Sequence, residues 1–143
     1  MSCYLGLDYG LRRIGIAVSD PDGKLAFALE THVEGRDGSI LKRLAELVQQ
    51  RSVTGIVVGL PLTTSGRKGT MADRVSRFAA RLEKEFSVEV ILWDERYSSA
   101  EADRWLALRD RPAKEERDAL AAQIILQSYL DRLRADAGET PGC

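Results

Sequence analysis

Leu5-Gly6-Leu7-Asp8-Tyr9-Gly10-Leu11-Arg12-Arg13-Ile14-Gly15-Ile16-Ala17-Val18-Ser19-Asp20 sets one carboxylate between two short apolar runs interrupted by glycines. The runs are rich in β-branched or bulky residues, and Gly10 with its charged neighbours supplies turn chemistry, so the stretch reads as a β-hairpin. Asp8 then ends an interior strand. A charge in that place costs several kcal/mol by desolvation unless something pairs with it. The nearby cations in sequence are Arg12 and Arg13; a bound metal is the other candidate, and an Asp that only caps the turn is the plain alternative.

Working outward, apolar runs at about 3–8, 14–19 and 25–32 read as three strands of a meander, with Pro21-Asp22-Gly23 as the second turn. After Gly35-Arg36-Asp37-Gly38 the period changes. Ile40, Leu44, Leu47 and Val48 fall at helical spacing, with Asp37 or Ser39 as the expected cap. Gly55-Ile56-Val57-Val58-Gly59-Leu60 has no polar position, as expected of a strand covered on both faces in the middle of a sheet. Pro61 ends it, and a polar, glycine-bearing loop over 63–69 leads to Thr70, read as an N-cap with Asp73 three residues on. Val75, Phe78, Ala79, Leu82 and Phe86 then mark a second amphipathic helix.

The run 88–93 reads as a fifth strand, with Asp94-Glu95-Arg96 at its carboxyl end. Ser98 and Glu101 form a capping box that opens a third helix through Ala102, Trp105 and Leu106. The stretch 109–117 lacks apolar residues apart from Ala113 and contains Pro112, so it reads as a mobile loop. A last helix is expected over about 115–134. Hairpins first and helix-linked strands after them give an α/β fold: a mixed five-stranded sheet with helices on both faces. One domain over 1–136 and a disordered tail over 137–143 are expected.

At 143 residues the chain is long enough for one domain with a sizeable core. The two cysteines, Cys3 and Cys143, are too few for a disulfide framework. With no signal-type apolar segment and no run long enough to span a bilayer, a cytoplasmic protein without membrane partners is expected. A net charge of -1 and a pI near 5.9 argue against coating nucleic acid through bulk charge, while a local basic patch stays open.

Asp118 is the second anomaly, because Ala122, Ile125 and Tyr129 stand at i+4, i+7 and i+11 from it and place it on the buried helix face. The helix macrodipole accounts for an acid in the first turn but not for that face. Glu95 alone is weaker, since a salt bridge to Arg96 or Arg12 would explain it. Together, however, Asp8, Glu95 and Asp118 can meet where strand carboxyl ends and a helix N-terminus come together. Three converging carboxylates repel one another unless a hard cation binds them, and oxygen-only ligation points to Mg²⁺ or Mn²⁺. Two such ions about 3.5–4 Å apart suit phosphodiester hydrolysis, a nuclease-type site.

Leu7-Asp8-Tyr9-Gly10 with 12–17, then Val58-Gly59-Leu60-Pro61-Leu62, then Asp94-Glu95-Arg96-Tyr97-Ser98-Ser99, then the run 118–126 closely resemble the YqgF/RuvX family over nearly the whole chain. The resemblance implies an RNase H-like fold, similarity to RuvC-type Holliday junction resolvases, and a cytoplasmic nuclease maturing the 5′ end of pre-16S rRNA. It carries the family's metal ligands to Asp8, Glu95 and Asp118. RuvC-like relatives place their second acidic ligand at the end of the fourth strand, where this chain has Leu60 and Pro61. Glu95 is therefore expected to reach in from the neighbouring strand. The basic run before the last helix is diluted here to Lys114-Glu115-Glu116-Arg117.

Arg12, Arg13, Arg67, Lys68, Arg74 and Arg77 fall in or beside loops at the same edge, where they could hold phosphates, with Thr70 and the backbone of 66–70 as further donors. Taken singly, each could equally be a solvated surface charge. His32 is expected off this edge, in a structural role. Structured RNA or branched DNA is the expected partner, and a homodimer stays open. Branched-DNA resolution and a catalytically inactive nucleic-acid-binding module are the alternatives. An actin- or sugar-kinase-type ATPase, which also uses an Asp-x-Gly hairpin, normally needs two lobes and far more chain.

Overall fold

In the computed structural model, which describes residues 2–34, 38–61, 69–95 and 114–138, alternation of side chains across short strands builds the first layer. The strands β1 (Cys3–Tyr9), β2 (Arg13–Ser19) and β3 (Ala26–Val33) form an antiparallel meander. Gly23 lies at φ 68° in its second turn, a left-handed conformation that glycine adopts without strain. Helix α1 (Ser39–Gln50) leads to β4 (Val53–Leu60), and α2 (Thr70–Glu85) leads to β5 (Glu89–Asp94). Helix α3 (Lys114–Asp136) is the last element described.

The sheet has five strands in the order β3-β2-β1-β4-β5, with β1, β4 and β5 parallel. Their carboxyl ends share one edge, and the amino end of the antiparallel β2 lies there too. One face buries Leu5, Leu7, Ile14, Ile16, Ile56 and Val58 against Ile40, Leu44 and Leu47 of α1 and Val75, Phe78 and Leu82 of α2. The other face packs Ala17 and Val57 against Ala122, Leu126 and Leu130 of α3. This is the mixed sheet with helices on both faces that the order of apolar runs implied.

Small residues set how closely α3 lies on the sheet. A Cβ on Gly6 would come within 2.6 Å of Leu126 Cβ, and one on Gly15 would overlap the backbone carbonyl of Asp118. A side chain at either position would therefore push α3 outward.

Five local readings change. Thr70 is the first helical residue and not the cap, which is Gly69 without any side-chain hydrogen bond. Helix α1 is capped from outside, since Glu34 Oε1 accepts from the Ile40 amide at 3.1 Å and the Ser39 hydroxyl at 3.0 Å, while the N-cap itself is Gly38. Strands β3 and β5 are each shifted one residue on from the expected 25–32 and 88–93. Helix α3 begins at Lys114, so the last four residues of the expected 109–117 loop are helical. A run of charges does not break a helix, and the breaker Pro112 lies before it. The loop at 62–68, the helix expected from Ser98 and residues 139–143 lie outside the described residues.

Candidate functional site

Asp8 is the penultimate residue of β1 and pairs with Gly15 of β2, on the face that α3 covers. Glu95 follows directly on β5, two residues after Trp93, which pairs with Gly59 of β4 and hydrogen-bonds to Ser128 of α3. Asp8 and Glu95 therefore stand on the same face, at the shared carboxyl edge of the parallel strands. Their side chains are hydrogen-bonded to each other.

What allows this is the residue between them. Strand β4 separates β1 from β5, and a Cβ at Gly59 would lie 2.7 Å from Glu95 Oε1 and 2.7 Å from Ile125 Cδ1. The Glu95 carboxylate thus lies over Gly59 and reaches across β4 to Asp8. Glu95 follows β5, as its place after the fifth apolar run implies, whereas Gly59 carries no chemical group that points to its role. An interior glycine in a strand that is otherwise wholly apolar is the available signal, because it often marks a close approach.

Asp118 arrives from the first turns of α3 through the contact of its backbone with Gly15. Its Oδ2 is buried and receives no hydrogen bond among the described residues, although Arg13 Nε lies 3.1 Å away. The two observations agree if the guanidinium N–H is not aimed at the oxygen: the contact is coulombic, with the acceptor's directional capacity unused.

Burial first and then the Asp118 charge push Asp8 up to about 6, against the lowering effect of the hydrogen bond to Glu95. Glu95 is pushed up to about 7, first by burial, then by the Asp8 charge and hydrogen bond, and last by the Asp94 charge. The two carboxyls titrate as a pair that shares a proton near neutrality.

Two adjacent carboxyls and a buried, unfilled carboxylate oxygen make an all-oxygen donor set, the chemistry of a hard divalent cation. Among the described residues no group of three His, Cys, Asp or Glu side chains is gathered closely enough to hold a metal. Mg²⁺ does not require one, since it commonly takes one or two carboxylates with waters and substrate phosphates completing the shell. The residues fit such an ion, with Asp8 and Glu95 as the core and Asp118 beside them.

Of the expected phosphate-holding residues, Arg13 stands at the edge beside Asp118, while Arg12, Thr70, Arg74 and Arg77 are exposed. Tyr9 stacks on Phe78 with ring centroids 4.5 Å apart, so the amino-terminal half of α2, carrying Arg74 and Arg77, lies beside the end of β1. Arg67 and Lys68 lie outside the described residues. His32 is at the same edge as the carboxylates, contrary to expectation, because it pairs with Ile14 in the row beyond Asp8. It nevertheless points to the α1 face, where its Nε2 lies 2.9 Å from Ser39 Oγ.

The profile of a family described as "RuvX: Holliday junction resolvase" matches residues 2–132. A protein of Koribacter versatilis (strain Ellin345) is 43% identical over 138 residues, covering 94% of this chain and 90% of its own length. One of Geobacillus kaustophilus (strain HTA426) is 45% identical over 135 residues, covering 91% and 98%. Both carry the name "Putative pre-16S rRNA nuclease". Among solved structures, T. thermophilus RuvC in complex with a Holliday junction substrate superposes with a TM-score of 0.60 at 15% identity, covering 96% of this chain and 97% of that one. That likeness shows the fold, the RNase H-like architecture of RuvC. No helix among the described residues is long and apolar enough to cross a membrane.

Proposed function

The chain belongs to the RuvX family, and from that premise we propose that it is a divalent-metal-dependent nuclease that hydrolyses phosphodiester bonds in structured nucleic acid, with the 5′ end of pre-16S rRNA as its substrate. The observation that carries the reading is the hydrogen-bonded Asp8–Glu95 pair at the carboxyl edge, with both acids raised and the buried Asp118 oxygen beside them. Buried acids that repel each other weaken an apo fold, and a cation relieves that cost.

Bound there, one or two Mg²⁺ or Mn²⁺ ions supply a lowered water pKa and neutralisation of charge at the phosphate. The protein's own part is to shed the proton shared by Asp8 and Glu95, to present carboxylate oxygens on one face, and to keep bulk water from Asp8 by burial. Arg12, Arg13, Arg67, Lys68, Thr70 and Arg74 hold and orient the phosphates flanking the cut. Among the described residues no His or Cys stands with the carboxylates to act as base or nucleophile, so the reading assigns neither role to a side chain.

The test is cleavage of a pre-16S-like RNA and of a four-way DNA junction by the same preparation, with Mn²⁺ and with a chelator. Mn²⁺-dependent cutting of the RNA near the mature 5′ end is expected. Cutting of the junction alone would move the substrate to branched DNA, and cutting of neither would leave a binding module.

A further inference from the structure

Helix α2 buries Ala72, Val75, Phe78, Ala79 and Leu82 against the sheet. Its outer side carries Arg74, Arg77, Arg81 and Lys84, all exposed, at intervals of three, four and three residues. At 3.6 residues per turn these four fall within a sector of about 80°, and Thr70 lies in the same sector. Asp73 and Glu85 stand at its two margins, and no acid lies within it. None of the four basic side chains makes an ion pair among the described residues. A solvated helix ordinarily interleaves its charges as i,i+3 or i,i+4 pairs, as Arg43 does with Glu46 on α1, where they lie 3.1 Å apart. An unneutralised single-sign stripe is all the more unusual on a chain whose net charge is -1.

We propose that this stripe is a phosphate track that seats an arm of the nucleic acid beyond the cleavage point. The inference rests on the nuclease reading and extends it to the part of the substrate that is not cut. The stripe starts on the turns of α2 that the Tyr9–Phe78 stack ties to the end of β1, and it runs away from that edge. From Arg74 to Lys84 it covers about 15 Å, against a strand charge every 3.4 Å or so, enough for about four nucleotides. Its donors are guanidinium and ammonium groups with no aromatic partner among the described residues, so it grips backbone and reads no bases. The carboxylates lie on the α3 face and the track on the far side of α2. A substrate that reaches both must turn at the edge, as an arm of structured RNA or branched DNA does.

The test measures binding of a labelled RNA stem-loop and a labelled four-way DNA junction, without divalent ions, across a KCl series. It compares wild type, Arg81→Gln/Lys84→Gln and the charge-keeping Arg81→Lys/Lys84→Arg. Loss of two phosphate contacts is expected to lower the slope of log K against log salt by roughly 1.4–1.8. Affinity is expected to fall equally for unrelated stem sequences, and the charge-keeping variant is expected to retain the wild-type slope. Both side chains are exposed, so the melting temperature serves as the folding control. A steep wild-type slope that the Gln variant leaves unchanged would overturn the track and leave the nuclease reading standing. A loss confined to one stem sequence would overturn it too, and wild type that binds neither probe would overturn both.

Discussion

Arg13 Nε lies 3.1 Å from Asp118 Oδ2, yet no hydrogen bond from a described residue fills that buried oxygen. The guanidinium stands on the side of the Asp118 carboxylate that the proposed metal site would use. With the two side chains 39% and 26% exposed, the pair is a weak one, expected to give way to a divalent ion if one binds there.

Arg13→Gln is therefore expected to tighten Mn²⁺ binding about fivefold or more, the lower end of coupling between two ligands of one site. Calorimetric titration without nucleic acid reads this directly. The same variant is expected to weaken nucleic-acid binding, because the released arginine is one of the proposed phosphate contacts.

The raised Asp8 and Glu95 make the folded apo protein bind more protons than the unfolded chain between about pH 4 and pH 7. Where the native state binds more protons, stability falls as pH rises. The apo protein is thus expected to lose stability through that window. Asp8→Asn is expected to flatten the loss and to raise stability at pH 8 by on the order of 1–2 kcal/mol. Urea melts at several pH values check it, and a cooperative fold lost in the variant would make Asp8 structural instead.

Carboxyls bind metal only when ionised, so a proton is expected to compete with the proposed ion at this pair. Mn²⁺ affinity is expected to rise from pH 5 to pH 8, steepest through about 6 to 7 where Asp8 and Glu95 ionise. Titrations in buffers of different ionisation enthalpy are expected to show proton release at pH 6.

Gly59→Ala places a methyl group against the tips of Glu95 and Ile125, two flexible ends, and is expected to cost about 1 kcal/mol of stability. Because Glu95 must then leave its path to Asp8, Mn²⁺ affinity is expected to fall roughly 10–100-fold, the range for supporting residues of a metal site. Gly15→Ala meets the rigid backbone carbonyl of Asp118 instead, and about 3 kcal/mol is expected there.

The strands were legible because each buried face writes itself as alternation or as an unbroken apolar run, and Gly55 to Leu60 proved to be the strand beside β1. The placement of Asp8 at a strand end and of Glu95 just past β5 followed from the same runs. Caps were not legible. Glu34 serves α1 from outside the helix, a contact made through tertiary placement, whereas cap rules look only at adjacent residues. The Arg13–Asp118 pair was hidden too, since 105 positions separate the partners and the close approach of α3 over Gly6 and Gly15 brings them together. Gly59 shows the same limit: its role lies in the space it leaves for a side chain of another strand.

Asp8, Glu95 and Asp118 are proposed to form one metal-dependent hydrolytic site. The most direct measurement is Mn²⁺-dependent cleavage of the pre-16S-like RNA by wild type, Asp8→Asn, Glu95→Gln and Asp118→Asn, each first shown to be folded by its melting transition. Wild type is expected to cut and each variant to lose at least about a hundredfold in rate, as removal of a single electrostatic catalytic group commonly costs. Cleavage persisting at the wild-type rate in any of the three would contradict the shared site.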